Sequence, residues 1–270
     1  MRLAVLQMTS GCEVAPNLVR AGGLLAAAAD AGADLAVLPE NFAFMGRDSQ
    51  DRSSVVEAPG AGPIQEFLAA AAQRHRLTIV GGTLPLRTQG EERAGQALLV
   101  YGPDGRCLAR YDKIHLFDVV LPDGESYRES KHLAPGREVV VADTPAGRIG
   151  LSICYDLRFP ELFRRLAARE AQLMVVPAAF TAPTGEAHWE VLLRARAIEN
   201  QCVVAAAGQW GRHENGRETW GHSLVVDSWG RVLAERAEGE GIAVADIDFD
   251  AQQALRSRFP ALAHRVLDRA

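Results

Sequence analysis

Residues 148–169 read RIGLSICYDLRFPELFRRLAAR, and the order of the elements in this stretch indicates the fold class. Residues 148–153 form a short apolar run that is typical of a buried strand, and the pattern over residues 160–169 predicts a helix that begins at Pro160. Cys154 lies at the point where the strand ends. A strand that leads into a helix is the building block of layered α/β proteins.

The same alternation continues on both sides of this stretch. The further predicted strands are residues 2–8, 35–38, 77–81, 173–176 and 202–206, and the further predicted helices are residues 16–31, 64–74 and 187–200. Two predicted hairpins pair residues 97–101 with 107–111 and residues 223–226 with 232–234, each across a turn-forming sequence. Helices and strands in this order predict a mixed sheet, or two sheets, covered by helices. We expect a single domain over residues 1–270.

Composition and charge narrow the class of partner. The chain has 270 residues, of which 48% are hydrophobic and 23% charged, so it can bury a core of its own without a disulfide or a metal. Its net charge is −5 and it contains no basic block, which argues against nucleic acid or an anionic membrane as a partner. We therefore expect a small-molecule ligand.

The cysteine and histidine spacings give no sign of a metal or a disulfide framework. The four cysteines are widely scattered without a C-x-x-C pair, and the seven histidines lack the spacing by which a helix binds a metal. We expect free thiols and no cofactor. Because the first residues lack a signal-peptide pattern and no apolar run reaches membrane-spanning length, we expect a cytoplasmic protein.

Three of the predicted strands end at residues that carry chemistry. Glu40 follows the strand at 35–38, Lys113 follows the first hairpin, and Cys154 follows the strand at 148–153. In open α/β sheets, ligands bind in the crevice beyond the carboxyl ends of the strands. Lys113 also stands out by composition, because only it and Lys131 are lysines among 29 basic residues. For one lysine alone, drift in composition is the favoured explanation of that scarcity.

Cys154 is the candidate nucleophile. A cysteine between a strand end and a helix N-terminus is near the positive end of the helix dipole, which favours the thiolate. Free cysteines are more often buried structural residues, and we assign Cys202 to that class and treat Cys12 and Cys107 as structural or incidental.

A thiol that attacks a carbonyl carbon needs a base and a donor for the oxyanion. A glutamate and a lysine can fill these roles. A Cys-His pair is the commoner solution, so four histidines, namely His115, His132, His188 and His222, remain possible bases. We expect His188, at the predicted start of a helix, to pack or to cap, although the sequence does not exclude it as the base.

The motifs LPENF (38–42), YDKIHLFD (111–118), YRES (127–130), ICYDLRFPEL (153–162) and HWEVLLRARAIENQ (188–201) together resemble the nitrilase superfamily of carbon-nitrogen hydrolases, nearly from end to end. The resemblance implies a four-layer αββα sandwich and an assembly that is a homodimer or a higher homo-oligomer. It also implies a catalytic set formed by Glu40, Lys113, Cys154 and Glu129.

In that set, Glu40 would be the base, which we expect to be buried, and Lys113 with the backbone N–H of Tyr155 would bind the oxyanion. Glu129 would orient Lys113 or the substrate. Phe180 and Thr184, in the loop after the strand at 173–176, match substrate-contacting positions. Arg158 can offer a bidentate fork to the carboxylate of an α-keto acid, and a surface or helix-start arginine is the alternative.

The resemblance is strongest to the branch that hydrolyses deaminated glutathione, and a sister branch of ω-amidases acts on 2-oxoglutaramate. We therefore expect an amidase that acts on a small α-keto-acid amide through a cysteine thioester. A catalytically silent binding protein and a Cys-His acyl-transfer enzyme are the alternatives, and a nitrile is a less favoured substrate. Ser228, Trp220 and Trp210 depart from the branch pattern, which bears on substrate identity rather than on reaction class.

Overall fold

The computed structural model describes residues 1–47, 51–120 and 124–267. Its α-helices are α1 (Val14–Asp30), α2 (Pro63–His75), α3 (Pro160–Ala168), α4 (Ala182–Asn200) and α5 (Phe249–Arg258). Its strands are β1 (Arg2–Gln7), β2 (Leu35–Val37), β3 (Thr78–Val80), β4 (Leu84–Leu86), β5 (Gly95–Tyr101), β6 (Cys107–Asp112), β7 (Asp118–Val120), β8 (Ser126–Arg128), β9 (Val141–Thr144), β10 (Gly147–Leu151), β11 (Leu173–Ala178), β12 (Val203–Gly208), β13 (Trp210–Arg212), β14 (Glu218–Trp220), β15 (Ser223–Val226), β16 (Val232–Arg236) and β17 (Gly241–Asp246). Within these ranges, no helix has both the length and the apolar character needed to cross a bilayer.

Two mixed sheets organise the chain. The first runs in the order β17-β1-β2-β3-β5-β4, with β6 paired to β5, and the second runs β16-β15-β12-β11-β10-β9. In the first sheet β1, β2 and β3 are parallel, and in the second β10, β11 and β12 are parallel. The parallel strands are the ones connected by helices, as right-handed crossovers require.

The two sheets pack face to face because successive side chains of a strand point to opposite faces. In β1, Leu3 and Val5 join the core that includes the second sheet, whereas Ala4 and Leu6 join the core under α1 and α2. On the far side, α3 and α4 pack against the second sheet through buried residues such as Leu166 and Trp189. The order of layers is helix, sheet, sheet, helix, which confirms the expected αββα sandwich.

Every strand and helix predicted from the sequence is present, with shifted boundaries, and the main difference lies at α4. This helix begins at Ala182 rather than at residue 187, with Pro183 in its first turn, where a missing N–H costs nothing. Thr184 is therefore in the first turn of a helix and not in a loop. His188 lies inside α4 with an exposed side chain, so the expectation that it packs or caps the helix was wrong.

Candidate active site

The three strand ends that carry chemistry meet at one cavity, as the sequence predicted. Glu40 follows β2 and Lys113 follows β6, both in the first sheet, whereas Cys154 follows β10 in the second sheet. All three line a cavity of about 490 Å³, together with Glu129 from the segment after β8. The site therefore lies between the sheets of the sandwich and draws on both of them.

Lys113 is the centre of the charged group in this cavity. Its Nζ donates to Oε1 of Glu40 and to Oε2 of Glu129, each at 2.9 Å, and the side chain is only 1% exposed. Burial alone would lower the pKa of Lys113, but the charges of Glu129 and Glu40 outweigh burial and raise that pKa above its ordinary value. The ammonium group therefore stays charged and fixed between two carboxylates.

Glu129 is a second fixed charge. Its Oε2 accepts from the backbone N–H of Phe117 at 2.9 Å as well as from Lys113, and its Oε1 accepts from Nη1 of Arg52 at 3.3 Å. Burial opposes ionisation, but the charges of Lys113 and Arg52, with the Phe117 N–H, lower the pKa of Glu129 to about 2. Glu129 is thus an anion at neutral pH. Sequence reasoning missed Arg52, which lies in the 3₁₀ helix Asp51–Val55.

Glu40 is buried, as expected, and its two carboxylate oxygens have different partners. Oε1 accepts from Lys113, and Oε2 accepts from the backbone N–H of Ala179 at 3.0 Å. The backbone carbonyl of Glu40 accepts from Nε2 of Gln209 at 3.0 Å, which fixes the turn after β2 to the end of β12. A carboxylate held in this way can exchange a proton with a group in the cavity without moving.

Cys154 has an unusual backbone conformation. Its φ of 47° is in the left-handed region, which a residue with a side chain adopts only when the surrounding structure enforces it. It begins a 3₁₀ turn, Cys154–Arg158, and α3 follows only at Pro160.

Burial, and then the charge of Glu40, raises the pKa of Cys154 well above its ordinary value, against the opposing effects of Lys113 and the Ala179 N–H. The thiol needs a base.

Asp156 fixes the turn that carries Cys154. Its Oδ2 accepts from the hydroxyl of Tyr111 at 2.7 Å and from the backbone N–H of Ile153 at 2.9 Å. Its Oδ1 lies 2.7 Å from Nδ1 of His115 and accepts from the backbone N–H of His115 at 3.1 Å. His115 thus has a partner in Asp156 and stacks on the Phe159 ring at 3.7 Å, which is a structural role.

The other candidate histidines differ in position. His188 and His222 are absent from the cavity wall as far as the described residues show it, and His132 is part of that wall. Nδ1 of His222 is 2.6 Å from Oε1 of Glu235, and Nδ1 of His188 is 3.3 Å from Nη1 of Arg158. Neither contact places an imidazole beside the thiol.

All four predicted substrate-binding residues line the cavity: Tyr155, Arg158, Phe180 and Thr184. The guanidinium carbon of Arg158 lies 5.9 Å from the centre of the Tyr155 ring and 5.3 Å from that of Phe180. Oγ1 of Thr184 is 2.8 Å from Oγ1 of Thr181. The sequence did not single out three further wall residues, which are Phe117, Tyr127 and Arg217.

The three departures from the branch pattern lie away from the cavity wall that the described residues form, since Trp210, Trp220 and Ser228 are not part of it. The backbone N–H of Trp220 donates to the carbonyl of Phe180 at 3.0 Å. Trp220 therefore contacts the backbone of the wall residue Phe180 without lining the cavity itself.

Comparison with known proteins agrees with this arrangement. The family model for carbon-nitrogen hydrolases matches residues 2–257. A protein from Synechocystis named deaminated glutathione amidase is 44% identical over 266 residues, 97% of each chain, and a protein of the same name from Bos taurus is 42% identical over 98% of this chain and 82% of its own length. The crystal structure of the C. elegans NitFhit protein superposes with a TM-score of 0.88 at 37% identity, over 98% of this chain but 65% of that longer one.

Proposed function

Since this chain belongs to the carbon-nitrogen hydrolase family, we propose that it is an amidase that hydrolyses deaminated glutathione through a thioester on Cys154. It is a hydrolase of carbon-nitrogen bonds other than peptide bonds. The observation that carries the proposal is the pair of 2.9 Å contacts from Lys113 to Glu40 and Glu129, in the cavity that Cys154 lines. These contacts support a mechanism in which Glu40 is the base, Lys113 the cation and Cys154 the nucleophile.

Acylation uses Glu40 as the base. Glu40 takes the thiol proton as the sulfur of Cys154 bonds to the amide carbon, and the negative charge moves to the carbonyl oxygen. Lys113 and the backbone N–H of Tyr155 stabilise that oxyanion. The carbon-nitrogen bond then breaks, and Glu40 gives its proton to the leaving nitrogen. The products of this half-reaction are a thioester and an amine.

Deacylation repeats these steps with water. Glu40 takes a proton from water as the hydroxide oxygen bonds to the thioester carbon, and Lys113 again faces the oxyanion. The carbon-sulfur bond breaks, and the sulfur recovers a proton from Glu40. Glu129 keeps its charge throughout and holds Lys113 in place, which the low pKa of about 2 supports. One water is consumed, and a carboxylic acid and an amine are released.

A comparison of kcat/KM values for three candidate amides identifies the substrate. We expect amine release from deaminated glutathione to proceed with a higher kcat/KM than ammonia release from 2-oxoglutaramate or 2-oxosuccinamate. A kcat/KM for 2-oxoglutaramate far above the others would instead make the chain an ω-amidase. Loss of all three activities in folded protein would favour the silent binding protein.

Arg158 is the proposed partner of the α-keto-acid carboxylate. Arg158→Ala should raise KM about 10- to 100-fold for both the dipeptide amide and the primary amide, because both present the same keto-acid end to this guanidinium. Steady-state kinetics on the two substrates measure this effect. An unchanged KM would remove Arg158 from the carboxylate site.

A Cys-His mechanism makes a different prediction. Because His115 is bonded to Asp156 and His188 is exposed on α4, we expect His115→Ala and His188→Ala to keep the acylation step within about tenfold of wild type. His115→Ala should instead lower the melting temperature, because Asp156 loses a partner. Pre-steady-state release of the first product at several pH values tests this. Abolished acylation in either variant, with the fold intact, would restore the Cys-His alternative.

We propose further that residues 1–270 act as one domain, because both sheets supply the cavity, and that the chain forms a homodimer or a larger homo-oligomer. Three exposed apolar side chains support assembly: Ile198, Trp229 and Phe259 are each more than half exposed, and the last two rings lie 6.3 Å apart. A cytoplasmic location is supported by free cysteines at positions 12, 107, 154 and 202. Size-exclusion chromatography with light scattering tests the assembly.

A further inference from the structure

An aromatic wall on one side of the cavity has an arginine at each end. We use the name aromatic wall for Tyr127, Phe117 and Tyr155, whose rings follow one another at centroid distances of 5.0 and 5.1 Å. The guanidinium carbon of Arg217 lies 5.1 Å from the Tyr127 ring, and that of Arg158 lies 5.9 Å from the Tyr155 ring. All five side chains line the cavity, so two cations face it from different positions.

These two cations differ from Arg52 in their partners. Over the ranges that the structure describes, no carboxylate is in salt-bridge contact with Arg158 or Arg217, whereas Arg52, in the same cavity, is paired with Glu129. Nη2 of Arg217 donates to the backbone carbonyl of Ala179, and its Nε is buried without an acceptor in the described part of the chain. A cation held in a cavity without a counter-ion is stabilised when a ligand supplies one.

Arg217 is linked to Glu40 through Ala179. Its partner Ala179 also donates its N–H to Glu40, so one residue and two hydrogen bonds separate the guanidinium from the carboxylate. That link spans at most about 9 Å. In the proposed mechanism Glu40 protonates the leaving nitrogen, so the leaving group must extend from the Glu40 side of the cavity. Arg158 instead belongs to the turn that carries Cys154.

We propose that Arg217 binds a carboxylate on the leaving group, so that the cavity selects amides with a carboxylate at each end. This inference rests on the proposed function and adds the residue that binds the second carboxylate. A two-residue leaving group with a terminal carboxylate spans about 7 Å, which matches the reach from Glu40 to Arg217. A primary amide, which leaves as ammonia, has no group for Arg217 to bind.

The test compares two substrates that share the keto-acid end. Arg217→Ala should lower kcat/KM for deaminated glutathione by about 30-fold or more, mainly through KM, and this loss should exceed the loss for 2-oxoglutaramate by at least about tenfold. Arg212→Ala, which removes an exposed arginine from the neighbouring strand β13 outside the cavity wall, is the matched control and should change neither rate.

A third substrate completes a double-mutant cycle, in which the Arg217 side chain and the ligand carboxylate are removed separately and together. Converting the terminal carboxylate of deaminated glutathione to an amide should lower the kcat/KM of the wild type. The factor should equal the one by which Arg217→Ala lowers kcat/KM for the unmodified substrate. Arg217→Ala should then hydrolyse the carboxylate and amide forms equally well. Additive losses in this cycle would show that Arg217 and the carboxylate do not interact.

The outcomes separate the two proposals. If wild type hydrolyses none of the substrates, the proposed function fails and the inference fails with it. If wild type is active but Arg217→Ala slows both substrates equally, Arg217 acts only by supporting Ala179, and the inference alone is wrong. An unchanged rate on deaminated glutathione would also overturn it, and would direct the search to Arg128, an exposed arginine of the same cavity wall.

Discussion

Glu40→Gln is expected to lower kcat for amide hydrolysis by about 10³-fold and, at the same time, to make the Cys154 thiol ionise at lower pH. The two effects have one cause. In the proposed mechanism Glu40 removes the thiol proton, and its negative charge is also one of the factors that raise the pKa of Cys154. Removing the charge therefore eases ionisation while removing the group that moves the proton during turnover.

The direction in which the pKa of Cys154 moves in Glu40→Gln follows from the charges around the sulfur. Burial and Glu40 raise the pKa of Cys154, whereas Lys113 and the N–H of Ala179 lower it. A neutral glutamine keeps the burial of the thiol and the opposing effects of Lys113 and the Ala179 N–H. It removes the charge of Glu40, which is one of the two effects that raise the pKa. The pKa of Cys154 falls, and the fraction of thiolate at a given pH rises.

The pH dependence of alkylation by iodoacetamide at Cys154, followed by mass spectrometry of the peptide, measures the thiolate. Exposed Cys107 provides an internal reference on the same molecule, and Cys154→Ala shows the background. We expect the alkylation midpoint to move to lower pH in Glu40→Gln as turnover falls. An alkylation midpoint that stays or rises, or a kcat near wild type, would contradict the role of Glu40 as base.

The sequence predicted those site residues that come directly after a strand-forming run. The apolar run before Pro39 and Glu40 forms β2 because its side chains are buried on both faces of the sheet, and the chain must turn where the run stops. The same reasoning placed Lys113 and Cys154. Strand ends are local properties, and the sandwich brings them together.

The parts that the sequence did not predict depend on contacts between distant segments. Arg52 and Arg217 lie in segments without hydrophobic periodicity, and their partners Glu129 and Ala179 are far along the chain. The raised pKa of Cys154 also depends on such contacts. A helix dipole can be read from neighbouring residues, but the desolvation and the charge of Glu40 come from the folded cavity.

Long-range pairing also explains the elements that the sequence pattern missed. Strand β17 forms because it pairs with β1 at the opposite end of the chain, and its glycine-rich approach gives a weak strand signal. Helix α5 is polar over most of its surface, so its hydrophobic pattern is faint. Neither element contributes a residue to the cavity wall among the described residues.

Lys113→Arg is expected to lower kcat/KM by about 10²- to 10³-fold although the charge is kept. The side chain of Lys113 is 1% exposed, and its compact ammonium group donates to two carboxylates at 2.9 Å. A guanidinium is planar and larger, so it cannot point one donor at Glu40, one at Glu129 and another at the oxyanion from the same position. The charge would remain while the geometry is lost.

Lys131→Arg is the matched control, because Lys131 is the one other lysine of the chain and its side chain is exposed outside the active cavity. The control should keep wild-type kcat/KM. Kinetics and melting temperatures of the two variants, measured together, separate a lost oxyanion donor from a lost fold. A Lys113→Arg enzyme with near wild-type kcat would show that a positive charge alone suffices at this position. In that case the choice of lysine at position 113, in a chain that otherwise uses arginine, would carry no chemical meaning.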